Sequence, residues 1–156
     1  MEARINPMAD AVAMKSLKHI IAAGRALDDS TLPKATQELV KIRASQINGC
    51  SGCLDMHIKE AAAAGEDPVR LALVAAWREA TVYTDAERAA LEVTEQGTRI
   101  ADAAGGVSDE AWANAAKYFD EAQLSALVIG IAVINTFNRL NVITQQPAGH
   151  YVVGQH

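Results

Sequence analysis

Helix-start signals recur along this chain, and between them no segment alternates apolar and polar residues with the period of two that a half-buried strand needs. Asn6-Pro7 sets a capping side chain before a proline at the first helical position, and Asp67-Pro68 repeats the pair. Thr84-Asp85-Ala86-Glu87 has the capping-box spacing, in which two side chains satisfy exposed amides reciprocally. Pro33, Ser108 and Asp120 mark further starts. With the apolar periodicity between them, these signals predict helices over residues 8 to about 27, from Pro33 to Asn48-Gly49, and from Cys50 to Gly65. Others are predicted over 69–80, from Thr84 to about Ala103, from Ser108 to about Tyr118, and over 121 to about 142. The expected fold class is all-α, a single domain of six to seven helices. Its core spans residues 15–145, and an irregular tail, residues 144–156, contains Pro147 and Gly149.

Composition fits that reading. Of 156 residues, 31 are alanine and only 4% are aromatic, which favours closely packed helices. A net charge of -5 with no basic block argues against nucleic acid or an anionic membrane as partner. The N-terminus carries no charged-then-apolar ramp of the secretory kind, so a cytoplasmic protein is expected. The longest apolar stretch, residues 124–134, is broken by Ser125 and followed by Asn135, Thr136 and Asn138. It falls short of the roughly 20 residues of a membrane helix and predicts a buried one. Leu124, Leu127, Val128, Ile129, Ile131, Val133, Ile134 and Phe137 surround that helix instead of forming one stripe, so a homo-oligomer is expected to cover it, with the tail reaching across a subunit contact.

Cys50-Ser51-Gly52-Cys53 is the chain's one cysteine pair. On a helix this spacing sets the sulfurs about one turn apart, close enough for a disulfide with little backbone movement. Unsatisfied amides at a helix start lower the pKa of a cysteine there, which favours Cys50 as the more acidic sulfur. His57 follows Cys53 by four residues and shares its helix face, within reach to take the Cys53 proton, which favours Cys53 as nucleophile. The alternatives are half of a zinc site, with His57 as third ligand, and two inert buried cysteines. His19, His150 and His156 lie far from the pair in sequence, so no metal is expected. Glu38 stands in the preceding helix beside Ala35, Ile42 and Ser45; from the local pattern alone it reads as a solvated partner of Lys34 or Lys41.

The spacing Glu38, eleven residues, Cys50, two residues, Cys53, three residues, His57 resembles the active-site signature of the alkyl hydroperoxidase D (AhpD) family, part of the carboxymuconolactone decarboxylase superfamily. Trp77-Arg78-Glu79-Ala80, the run from Asp85 to Leu91, and Phe137-Asn138-Arg139-Leu140-Asn141 are also typical of its short members. The resemblance implies an AhpD-like helical bundle assembled as a trimer or hexamer, acting as a thiol-dependent peroxidase without metal, flavin or other cofactor. It implies that Cys53 is the peroxidatic thiol, that Cys50 resolves it, and that Glu38 and His57 form the proton relay. It further implies a hydroperoxide substrate and a dithiol reductant, a lipoyl-bearing carrier in the namesake branch. The best-studied branch has a histidine between the cysteines where this chain has Ser51 and Gly52. The decarboxylase branch is not built around a C-x-x-C pair, so lactone decarboxylation is not expected. Disulfide exchange with a partner protein, and a redox-sensing or chaperone-like oligomer without turnover, are the competing readings.

Overall fold

Side-chain caps set where the helices begin. A computed structural model describes residues 2–103 and 105–155. Among them the elements are α1 (Ala11–Ala26), α2 (Lys34–Asn48), α3 (Ser51–Ala63), α4 (Pro68–Leu73), α5 (Asp85–Thr98), α6 (Asp109–Ala115) and α7 (Glu121–Thr144), with no strand. Thr84 and Asp120 each form a full capping box, with Glu87 and Gln123 respectively. Gly49 ends α2 with φ of 67°, a left-handed conformation in which a Cβ would be strained.

Several bounds differ from the sequence expectation. Asn6-Pro7 starts only a 3-10 turn, Pro7–Ala9, because Asp10 is extended and caps α1 by accepting from Ala13 N. The helix expected over 69–80 stops at Leu73 and continues as the 3-10 turn Val74–Ala76. Beyond it, the Arg88 guanidinium donates to the carbonyls of Trp77, Arg78 and Ala80, so a side chain from α5 satisfies the backbone that a longer helix would have satisfied itself. Helix α5 ends at Thr98, short of Ala103, and α6 at Ala115, short of Tyr118.

Helix α2 is central. It packs against α3, α5 and α7, and its residues serve different apolar clusters. Val40 joins Leu32, Val93, Phe119, Leu127 and Ile131, while Leu39 and Ile42 join Leu71, Val74, Trp77 and Leu91. Each such large side chain contributes about 2 kcal/mol by leaving water. Alanines at 44, 61, 89, 90 and 115 are fully buried and let the helices approach closely.

A polar seam joins α2 to α7. Asn48 Nδ2 donates to Asn135 Oδ1 and Asn138 Oδ1, both at 2.9 Å. Asn138 in turn donates to Ser45 Oγ, and Asn135 to Thr98 Oγ1 on α5. Because buried amides left unpaired cost about 1–3 kcal/mol each, this seam fixes the register of α7 on α2.

Helix α7 is longer than its apolar stretch predicts. With 24 residues and a mean hydropathy of 1.6 over its best window, it has the length and composition of a membrane span. Leu127, Ile131, Ile134, Asn135 and Asn138 are buried in the bundle, whereas Val128 and Ile129 are exposed. One side is thus covered within the chain and the opposite side is not.

Candidate functional site

The turn at Gly49 delivers Cys50 to the N-cap of α3, where its Sγ accepts from Cys53 N at 3.3 Å. The two Cα atoms lie 5.4 Å apart and the sulfurs are joined as a disulfide. Helical spacing alone brings the pair together. Ala44, Ile134 and Phe137 pack around them, and each cysteine is only 1% exposed. Among the described residues, no three His, Cys, Asp or Glu side chains converge as metal ligands would.

His57, one turn beyond Cys53 on α3, directs Nδ1 to Glu38 Oε2 at 3.0 Å. Lys41 Nζ holds the other carboxylate oxygen, Oε1, at 2.7 Å. Glu38 is therefore not the solvated residue that its local pattern suggests; it bridges α2 to α3 with a side chain only 20% exposed. Of its two expected lysine partners it has Lys41, while Lys34 pairs with Asp28. Burial pushes the Glu38 carboxyl up, but the hydrogen bond and charge of His57, with Lys41 behind them, outweigh it and hold the group down to about 2. An ionised carboxylate only accepts, so the shared hydrogen sits on His57 Nδ1 and Nε2 is the nitrogen left for proton exchange.

The four residues singled out by spacing therefore lie in one place, at the junction of α2 and α3. With the disulfide closed, no hydrogen bond among the described residues joins His57 to either sulfur. The donor on Cys53 Sγ is instead Asn141 Nδ2, 3.3 Å away near the end of α7. Asn141 is 88 residues from Cys53 in sequence, and its only signal was membership of the run from Phe137 to Asn141.

The tail also meets this helix. Gly149 N and Tyr151 N donate to Asp55 Oδ2, Lys59 Nζ bonds both Asp55 and the Tyr151 carbonyl, and Gly154 N and the Tyr151 hydroxyl donate to Glu60. Irregular in backbone, as expected, the tail crosses α3 of its own chain. The Lys59 hydrogen bond and the two tail amides hold Asp55 down to about 2.

A fold whose described elements are all helical, with a redox-capable cysteine pair at a helix start beside a carboxylate–imidazole pair, defines an AhpD-like protein. The carboxymuconolactone decarboxylase family model matches residues 13–96, and the chain belongs to that family. It is 36% identical to the uncharacterised YdfG of Bacillus subtilis over 131 residues, 84% of this chain and 88% of that protein. A crystal structure of a protein of unknown function from Agrobacterium tumefaciens, proposed there as the antioxidant defence protein AhpD, superposes with a TM-score of 0.89 at 32% identity, over 96% of this chain and 100% of that one. The debrominase Bmp8, solved in complex with 2,3,4-tribromopyrrole, has a TM-score of 0.76 at 17% identity over 88% of this chain and 75% of its own. That last likeness is one of fold alone.

Proposed function

We propose that the chain is a thiol-dependent peroxidase that reduces alkyl hydroperoxides, with Cys53 as peroxidatic thiol, Cys50 as resolving thiol and Glu38–His57 as proton relay. The observation that carries this reading is the disulfide at the start of α3 lying beside a half-buried, ionised Glu38 bonded to His57. In the reduced enzyme His57 Nε2 takes the Cys53 proton, and the thiolate attacks the terminal peroxide oxygen. The O–O bond breaks, the alkoxide leaves and takes that proton from His57, and Cys53 becomes a sulfenic acid. The Cys50 thiol then attacks the Cys53 sulfur, the disulfide forms and water departs. A dithiol restores both thiols and is itself oxidised to a disulfide. No step calls for a metal or flavin.

Burial of both cysteines favours a small peroxide and a small or slender dithiol over exchange with a bulky protein disulfide. The uncovered side of α7 supports assembly as a homo-oligomer, a trimer or hexamer as in the AhpD family; we place its action in the cytoplasm. Peroxide consumption with dihydrolipoamide as reductant tests the reading. The parent protein should turn over and Cys53→Ser should not; a parent without turnover, or a Cys53→Ser variant as active as the parent, overturns it.

A further inference from the structure

The two sulfurs differ in what donates to them. Cys50 Sγ, at the N-cap, accepts from a main-chain amide of the first turn of α3, so the helix start serves Cys50. Cys53 is the third residue of α3, and its Sγ accepts from the Asn141 side chain at 3.3 Å. The amide is held in place by the way α7 ends. Gln146 N donates to the Asn141 carbonyl at 3.0 Å across the left-handed Gln145, so the last turn is closed around Asn141. Gly52 adds the matching surface: a Cβ built there would lie 3.9 Å from Asn141 Nδ2, which places the amide against the first turn of α3. Ile134 and Phe137, from the same helix, keep water from the sulfur and so strengthen any charge-assisted hydrogen bond to it.

We propose that Asn141 is a catalytic residue of the thiol site, its side-chain amide donating to Cys53 Sγ and stabilising negative charge on that sulfur whenever Cys53 is a thiolate. This rests on the reading of Cys53 as the nucleophile, and it assigns a role in both half-reactions. Toward peroxide, Asn141 holds the attacking thiolate. In the reductive half, the thiolate of the external dithiol attacks Cys50 Sγ and a mixed disulfide forms. The Cys50–Cys53 bond breaks with its electron pair going to Cys53 Sγ, where Asn141 receives the new charge. The second thiol of the dithiol then displaces Cys50, which takes up a proton. A donor fixed on one sulfur of the pair makes that sulfur the better leaving group and directs the reductant to the other.

The test reads the Cys53 thiol alone, in a Cys50→Ser background; serine is a preferred N-cap, so the start of α3 is kept. Rate of alkylation against pH gives the thiol pKa. Adding Asn141→Leu, close in size but without the donor, is expected to raise that pKa by about one unit, about a tenfold loss of thiolate at a fixed pH below it. Asn141→Asp keeps the shape, removes the donor and adds a like charge, and should raise it further. In the two-cysteine protein, Asn141→Leu should slow disulfide reduction by a dithiol by a similar factor. A Cys53 pKa equal to the parent's in the Asp variant, which is the closest in shape and serves should the Leu variant not fold, overturns the proposal. Peroxide turnover in the parent separates the two conclusions: turnover with no pKa change sinks the role of Asn141 alone. A pKa change without turnover leaves Asn141 tuning the thiol and sinks the peroxidase reading.

Discussion

Glu38 stands between a lysine on its own helix and a histidine on the next, and that position decides its charge state. Its carboxyl is held at about 2, against an ordinary 4.5, so above pH 4.5 it is ionised in both the folded and the unfolded chain and its stabilising effect is fully present. That effect is lost as pH falls through 4.5 toward 2, where the unfolded chain binds the proton first. Glu38→Gln should therefore cost about 2 kcal/mol at neutral pH. Urea unfolding at a series of pH values should show a constant gap from the parent above pH 4.5 that narrows toward pH 2. A gap that does not change across that window means the carboxylate is coupled to neither His57 nor Lys41. The same residue shows how far sequence reaches. Cys50, Cys53 and His57 share one helix, so their spacing alone predicted their proximity. Glu38 reaches His57 only because α2 turns back at Gly49 and lays its face against α3, and the local pattern pointed to lysine instead. The family signature singled out Glu38, whereas the contact of Asn141 with Cys53 appears only in the folded chain.

At the scale of elements, the caps written in short motifs were legible and the ends set by tertiary contacts were not. Thr84 with Glu87 and Asp120 with Gln123 close their boxes within four residues, which a sequence pattern carries in full. Where α4 stops depends on Arg88, which lies on another helix and caps the carbonyls around Trp77 from outside. The tail belongs to the same class. Its backbone has no regular partner of its own; its amides at Gly149 and Tyr151 donate to Asp55 and that of Gly154 to Glu60, while the Tyr151 carbonyl accepts from Lys59, all on α3. Asp55 is held at about 2 against an ordinary 3.8, so the strap's tie is fully present above pH 3.8 and loosens as pH falls through about 2. Asp55→Ala should release it at neutral pH. Hydrogen exchange is expected to show the Gly149 and Tyr151 amides several-fold faster, with the protection of α2 and α7 unchanged. Equal exchange in parent and variant would mean that Asp55 does not hold the tail.

For the whole molecule the question is what covers α7. The expectation that its apolar residues need cover on every side is met in part by α2, which takes Leu127 and, through the polar seam, Asn138. The opposite side is open: Val128 is 44% and Ile129 48% exposed, and Ile100, Val107 and Trp112 join Val128 along an apolar groove of about 470 Å³ between α5, α6 and α7. An apolar surface continuous over three elements is what subunit contacts bury, and removing it from water is the main driving force for association. Sedimentation at micromolar concentration should therefore show a trimer or hexamer of the 16.6 kDa chain. Val128→Lys places an ammonium at the centre of the groove, where an unpaired charge in a packed contact costs about 3 kcal/mol or more and weakens assembly by about a hundredfold. The variant should sediment at 16.6 kDa while keeping its helical content, because Val128 supports none of the buried clusters. A parent that itself sediments at 16.6 kDa would leave the groove open to solvent and remove assembly from the description of this protein.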